Sequence, residues 1–131
     1  MRVFVDTSAW YAFANRSSPE HEAVRAAFVA HRGHLVSSSY VFDEIVTLCR
    51  MRVGHGAALK VGTLLQDLRV VDLVRITPED DRDAWRLFGE RSDQEYSFTD
   101  CTSFVLMRRL KLTTALALDS DFRKEGFQTL P

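Results

Sequence analysis

Four carboxylates stand out in this chain, Asp6, Glu44, Asp100 and Asp119, because the residues around each argue against a simple solvated charge. Asp6 closes Val3-Phe4-Val5, an apolar run whose β-branched and aromatic content reads as a buried strand. An acid ending such a strand lies at the sheet edge where open α/β proteins bind ligands. Asp119 follows Thr114-Ala115-Leu116-Ala117-Leu118 in the same way. On a helix, neighbours fall three, four and seven positions away. By that count Glu44 sits among Val41, Leu48 and Met51, and points inward; Asp43 sits among Tyr40, Thr47 and Arg50, and faces solvent. Asp100 has Ser103, Phe104 and Met107 as neighbours and falls in a first helical turn, where the dipole favours negative charge. Asp121, two residues past Asp119, reads either as a supporting ligand or as a surface charge.

Gathered at one sheet edge around a shared cation-sized gap, four ionised carboxylates would repel one another. At ~5 Å and an effective dielectric of ~20, each pair costs on the order of 3 kcal/mol. Such a cluster either holds protons at raised pKa or recruits a cation. All-oxygen donors with no His or Cys beside them point to Mg²⁺ or Mn²⁺ rather than zinc. A cation of that kind lowers the pKa of a water and offsets charge on a phosphoryl group, so the chemistry implied is metal-assisted hydrolysis of a phosphodiester. The two cysteines, Cys49 and Cys101, lie in apolar helical patterns and read as buried hydrophobes. The four histidines lack metal-ligand spacing. With four of the 18 acids set aside, the other fourteen face 17 Lys and Arg, so the body around the site is mildly basic and suits a polyanionic substrate.

The elements that must position these acids alternate. Helical patterns cover about Thr7 or Ser8 (either of which can cap) to Asn15, Glu20 to Arg32 with Ala23, Ala27 and Phe28 apolar, and Ser39 or Tyr40 to Arg52. Gly54-His55-Gly56 breaks the chain before a helix from Ala57 to about Leu68, weakened by Gly62. Thr77-Pro78-Glu79-Asp80 is a strong helix start, and that helix carries Ala84, Trp85, Leu87 and Phe88. A further helix runs from about Thr99 to Leu110, with Phe104-Val105-Leu106-Met107 buried on most sides. Strands fall at the first apolar run, Leu35–Ser37, Leu73–Ile76, Thr114–Leu118 and, at an edge, Phe127–Leu130. Strands alternating with helices imply a three-layer α/β/α fold around a parallel sheet of four to five strands. The 131 residues, 46% hydrophobic and 27% charged, suit one globular domain over 1–131. No apolar run approaches the ~20 residues of a membrane span and no leader precedes the first strand, so a cytoplasmic protein is expected.

The ordered set VFVDTSAWYAF, SSYVFDEIVTL, YSFTDCTSF and ALALDSDFRKEGF resembles the PIN-domain family, and within it the VapC-type toxins of toxin–antitoxin pairs, across nearly the whole chain. The resemblance implies Asp6, Glu44, Asp100 and Asp119 as the acidic quartet holding one or two Mg²⁺ or Mn²⁺ ions. Thr7, Ser8 and Thr99 match hydroxyl positions that help order water or metal in the family. The Asp119-Ser120-Asp121 pair of acids is a mild departure and leaves open which of the two supplies the fourth ligand. The implied activity is endoribonuclease, hydrolysis leaving a 5′-phosphate and a 3′-hydroxyl. The implied partners are an RNA substrate, a small VapB-like antitoxin and a second copy in a homodimer.

Substrate grip would come from basic residues at the ends of the site helices: Arg50 and Arg52 after Glu44, and Arg108, Arg109 and Lys111 after Asp100. Rival folds fit less well. A haloacid-dehalogenase-type phosphotransferase wants a second Asp two positions after the first, where Ser8 stands. A response-regulator receiver wants a phosphoacceptor Asp ending a middle strand, where this chain has Ile76-Thr77-Pro78. A stand-alone PIN-type nuclease in RNA processing or DNA flap cleavage, and a PIN-like binding module without turnover, remain as alternatives.

Overall fold

The computed structural model describes all 131 residues as five strands and seven helices. In chain order these are β1 (Val3–Val5), α1 (Thr7–Ala14), α2 (His21–Ala30), β2 (Leu35–Ser38), α3 (Ser39–Arg52), α4 (His55–Leu65), β3 (Asp72–Val74), α5 (Pro78–Glu90), α6 (Phe98–Arg109), β4 (Thr114–Leu116), α7 (Asp121–Lys124) and β5 (Gln128–Leu130). The strands pair in the order β3-β2-β1-β4-β5, all parallel. β1 is buried throughout and takes the centre, with Val3 opposite Leu35 on one side and Val5 opposite Leu116 on the other. From β1 the chain builds outward through β2 and β3, then returns to lay β4 on the opposite flank. Strand order therefore reverses between β1 and β4, and a crevice opens beyond their carboxyl ends.

Helices cover the sheet to make the three-layer α/β/α arrangement expected. Trp10 is fully buried and meets Phe28 edge-on at 5.0 Å; its indole N–H donates to Ser37 Oγ, which in turn donates to the Val5 carbonyl. Truncating a closed-in side chain of that size costs roughly 3–5 kcal/mol. Phe4, Phe104, Phe122 and Phe127 pack together and join β1, α6, α7 and the run into β5. α3 and α4 approach closely at Gly62, where a Cβ would come within 3.2 Å of Val46 Cγ2. The glycine that weakens α4 as an isolated helix thus allows the helix pair to close.

Several boundaries differ from the sequence reading. The cap of α1 is Asp6, whose carboxylate accepts from the Ser8 N–H, and not Thr7 or Ser8. α2 buries Val24 and Phe28, while Ala23 is exposed, because the buried stripe is set by the larger side chains. α4 begins at His55, since Gly54 (φ +144°) alone makes the break, and it ends at Leu65. β3 is Asp72–Val74: the Ile76 N–H turns away to Ser39 Oγ instead of continuing the ladder. β4 stops at Leu116, leaving Asp119 three residues beyond the strand.

Candidate active site

The crevice beyond β1 and β4 is a cleft of about 500 Å³ lined by Asp6, Glu44, Asp100 and Asp119. Four separate elements deliver them. Asp6 is the N-cap of α1, Glu44 lies in the second turn of α3, Asp100 is the third residue of α6, and Asp119 sits in the loop between β4 and α7. Thr7, Ser8, Tyr11, Ser18, Glu20, Leu48, Arg52 and Leu118 complete most of the wall. A larger groove of about 730 Å³ between α1, α2 and α4 contains no carboxylate, so size alone does not locate the chemistry.

Each of the three aspartates has one carboxylate oxygen engaged and the other left without a hydrogen bond. Asp6 Oδ2 accepts from Ser8 Oγ at 2.7 Å and from the Ser8 N–H at 3.3 Å. Asp100 Oδ2 accepts from the Ser97 N–H at 2.9 Å, one half of a capping box in which the Asp100 N–H donates to Ser97 Oγ. Asp119 Oδ1 accepts from the Asp121 N–H at 3.1 Å. Ser8 also bridges two elements, because its Oγ accepts from the Leu118 N–H at 3.0 Å and so ties the first turn of α1 to the loop that carries Asp119.

No Lys or Arg forms an ion pair with any of the four acids. Burial, with Asp100 and Asp119 nearby, pushes Asp6 up to about 7 against the effect of its Ser8 hydrogen bonds. Burial, with Asp119 and Asp121 nearby, pushes Asp100 up to about 6. Asp119 is raised as well, by burial and then by Asp121. Burial and mutual proximity thus favour the protonated forms of these three aspartates.

A divalent cation fits this donor chemistry. The ligating atoms on offer are hard oxygens, three carboxylates each keep a free oxygen, and Thr7 Oγ1, buried on the cleft wall, has no hydrogen-bond partner. The expected shared cation-sized gap is not closed, however: as the side chains stand, no three carboxylates are gathered tightly enough to hold one ion. Asp6 is buried, Glu44 and Asp100 are half-buried, and Asp119 is exposed at the rim.

The remaining candidates sort by position. Thr7 and Ser8 line the cleft, whereas Thr99 and Asp121 lie outside its wall; the Thr99 carbonyl accepts from Thr102 Oγ1, and Asp121 opens α7. Glu44 is inward, but Met51, used to argue that, is 79% exposed; the correct neighbours are Val41 and Leu48. Asp43 is exposed as read. Glu20, Ser18 and Tyr11 went unnoticed in the sequence. Glu20 reads there as a helix-start acid, and only the fold of the Asn15–Glu20 turn over α1 brings it to the cleft rim.

Comparison with known proteins agrees with the geometry. The family model for the PIN domain matches residues 3–127. The chain is 33% identical over 125 residues, 95% of each sequence, to the 23S rRNA-specific endonuclease VapC20 of Mycobacterium tuberculosis. It is 31% identical over 119 residues to ribonuclease VapC26 of the same species, covering 89% of this chain and 86% of that one. The crystal structure of M. tuberculosis VapC20, a Sarcin-Ricin loop cleaving toxin, superposes with a TM-score of 0.91 at 32% identity over 95% of both chains. VapBC2 from Rickettsia felis, solved with a promoter DNA fragment, shares the fold at a TM-score of 0.74 and 10% identity, covering 98% of this chain and 97% of that one. By sequence and by fold, this chain belongs to the PIN domain family and is of the VapC type.

Proposed function

We propose that the chain is a metal-dependent endoribonuclease and the toxin of a type II toxin–antitoxin pair. The observation that carries this reading is the contrast in charge pairing: four acids from distant parts of the chain line one cleft and none of them is paired with a Lys or Arg, while the buried carboxylates of Asp80 and Glu125 each hold arginine. Asp6, Glu44, Asp100 and Asp119 would hold Mg²⁺, with Mn²⁺ as a substitute. When bound, the ion supplies positive charge against a phosphodiester and lowers the pKa of a water. The chain's own residues do the positioning. Ser8 orients Asp6 and ties down the Asp119 loop, and the Ser97 capping box fixes the rotamer of Asp100. Thr7 offers a spare hydroxyl to the same space; Thr99 and Asp121, outside the wall, would act only through their neighbours Asp100 and Asp119.

The substrate is RNA, the partners are a small VapB-like antitoxin and a second copy of the chain, and the setting is the cytoplasm. Family membership supports these assignments; no helix is long and apolar enough to cross a membrane. Incubation of the purified protein with structured RNAs, beginning with the ribosomal loop that VapC20 cleaves, should give cleavage in Mg²⁺ or Mn²⁺ and none in EDTA. Asp6→Asn should lose at least 10³-fold in rate while keeping the folded far-UV spectrum. Undiminished cleavage by that variant would sink the mechanism; cleavage of flapped DNA with RNA untouched would sink the substrate assignment, and no cleavage at all would favour a binding module.

A further inference from the structure

The five basic side chains that follow Glu44 and Asp100 are not equivalent in the folded chain. Arg108 donates to Glu125 Oε2 at 2.8 Å and to the Glu125 carbonyl. Arg109 grips both oxygens of Asp80. Arg50 and Lys111 are exposed and lie outside the cleft wall. Arg52 remains, the one Lys or Arg that lines the cleft. It has no carboxylate within ion-pair distance, and its guanidinium carbon lies 5.8 Å from the centroid of the Tyr11 ring.

Glu44, Leu48 and Arg52 are spaced i, i+4, i+8 on α3, which puts them in one stripe, and all three face the cleft. Eight residues correspond to roughly 12 Å along the helix axis, so Arg52 stands well away from the acids. A polyanion entering this cleft meets five carboxylates, Glu20 included, and a single cation. The planar guanidinium, laid against an aromatic face, keeps its donor edge for a phosphate, a geometry a flexible ammonium does not reproduce. We infer that Arg52, held by Tyr11, binds a backbone phosphate of the RNA flanking the one that is cleaved, and so sets the direction in which the strand crosses the acids. The assignment rests on the ribonuclease reading above.

The test is binding of a short single-stranded RNA to the full chain in EDTA, titrated at several salt concentrations, beside steady-state cleavage in Mg²⁺. Arg52→Ala should weaken binding about tenfold and make the log Kd against log salt slope shallower by about one contact. Arg52→Gln keeps the packing on Tyr11 without the charge and should behave like the Ala variant, whereas Arg52→Lys should recover part of the loss. In cleavage, Arg52→Ala should raise KM about tenfold with kcat within about twofold, and Arg50→Ala should match the parent in both assays. Equal affinity and slope for parent and Arg52→Ala would overturn the assignment, as would full binding by Arg52→Gln, which would make the side chain a packing element. A parent that neither binds nor cleaves RNA fails at the earlier step and removes both readings; one that cleaves normally while Arg52→Ala is silent removes this one alone.

Discussion

Asp80 and Asp100 occupy the same place in two copies of one local motif, and they do opposite things. Each is the third residue of a helix, and each closes a capping box. The Thr77 N–H donates to Asp80 Oδ2 at 3.0 Å and the Asp80 N–H to Thr77 Oγ1 at 3.1 Å; the corresponding Ser97–Asp100 bonds are 2.9 and 3.0 Å. The difference comes from the other end of the carboxylate. Arg109 reaches across from α6 and binds Asp80 bidentately at 2.9 and 2.8 Å. Burial alone would raise Asp80, but the Arg109 hydrogen bonds and those from Thr77 bring it below the ordinary value of 3.8. No such arm reaches Asp100, which rises to about 6. Local sequence shapes the motif; the tertiary partner decides whether the acid is fastened to an arginine and lowered or left unpaired and raised.

Exchanging each acid for its amide should separate these two roles most sharply. Asp100→Asn is expected to cost at least 10³-fold in kcat/KM, about 4 kcal/mol of transition-state stabilisation, with urea stability unchanged or raised. Asp80→Asn should do the reverse. Leaving Arg109 without its carboxylate is expected to cost about 2–3 kcal/mol, below the range for fully buried pairs because Arg109 is 40% exposed. Activity per folded molecule should stay within about twofold. Were both variants to lose stability equally and activity equally, the distinction between the two acids would have no basis.

The same contrast predicts opposite pH dependences. Asp6 has its folded pKa raised from 3.8 to about 7, so its contribution to stability is present at low pH and is lost as pH rises through that range. Asp80 has its folded pKa lowered, so its contribution is present above 3.8 and is lost as pH falls below it. In EDTA, therefore, the parent should lose stability between pH 5 and pH 8, and Asp6→Asn should remove most of that loss, gaining on the order of 2 kcal/mol at pH 8. Mg²⁺ or Mn²⁺ should raise the parent's Tm more at pH 8 than at pH 5, because the carboxylates must shed protons to bind it. A parent whose denaturation midpoint is flat from pH 5 to pH 8 in EDTA would show that the acids are not held apart from their charges as described.

Much of this architecture is readable in the amino-acid order because its causes are local. The Thr77-Pro78 start, the apolar run ending at Asp6 and the periodicity around Glu44 each declare themselves within a few residues. What stays hidden depends on distant partners. Nothing near Asp80 announces that Arg109, 29 residues on, will neutralise it, so it reads as one more helix-start acid. Trp85 and Phe88 look like core and are 68% and 41% exposed, stacked on each other at 5.8 Å, since Ala84 and Leu87 already fill the buried stripe of α5. That Asp119 lines the cleft and Asp121 does not is a matter of loop conformation, which no periodicity encodes. Arg52 could not be told from its four competitors until the fold showed that Arg108 and Arg109 are held by carboxylates and that Arg50 and Lys111 lie outside the cleft wall.

The smallest expected effect bears most directly on the claim that the motif itself is neutral. Thr77→Ala and Ser97→Ala each delete a side-chain oxygen that accepts one helix N–H, and each should cost about 1 kcal/mol of stability. Both variants keep the reciprocal bond, because the donor to the aspartate is a backbone N–H that substitution leaves in place. Asp100 should therefore hold its rotamer in Ser97→Ala, and kcat/KM should fall by no more than about threefold, close to the effect of Thr77→Ala. Thermal melts beside initial cleavage rates on the same preparations would check both numbers. A loss of activity in Ser97→Ala approaching that of Asp100→Asn would place the control of reactivity in the capping box, and the comparison between the two acids would have to be redrawn around their caps.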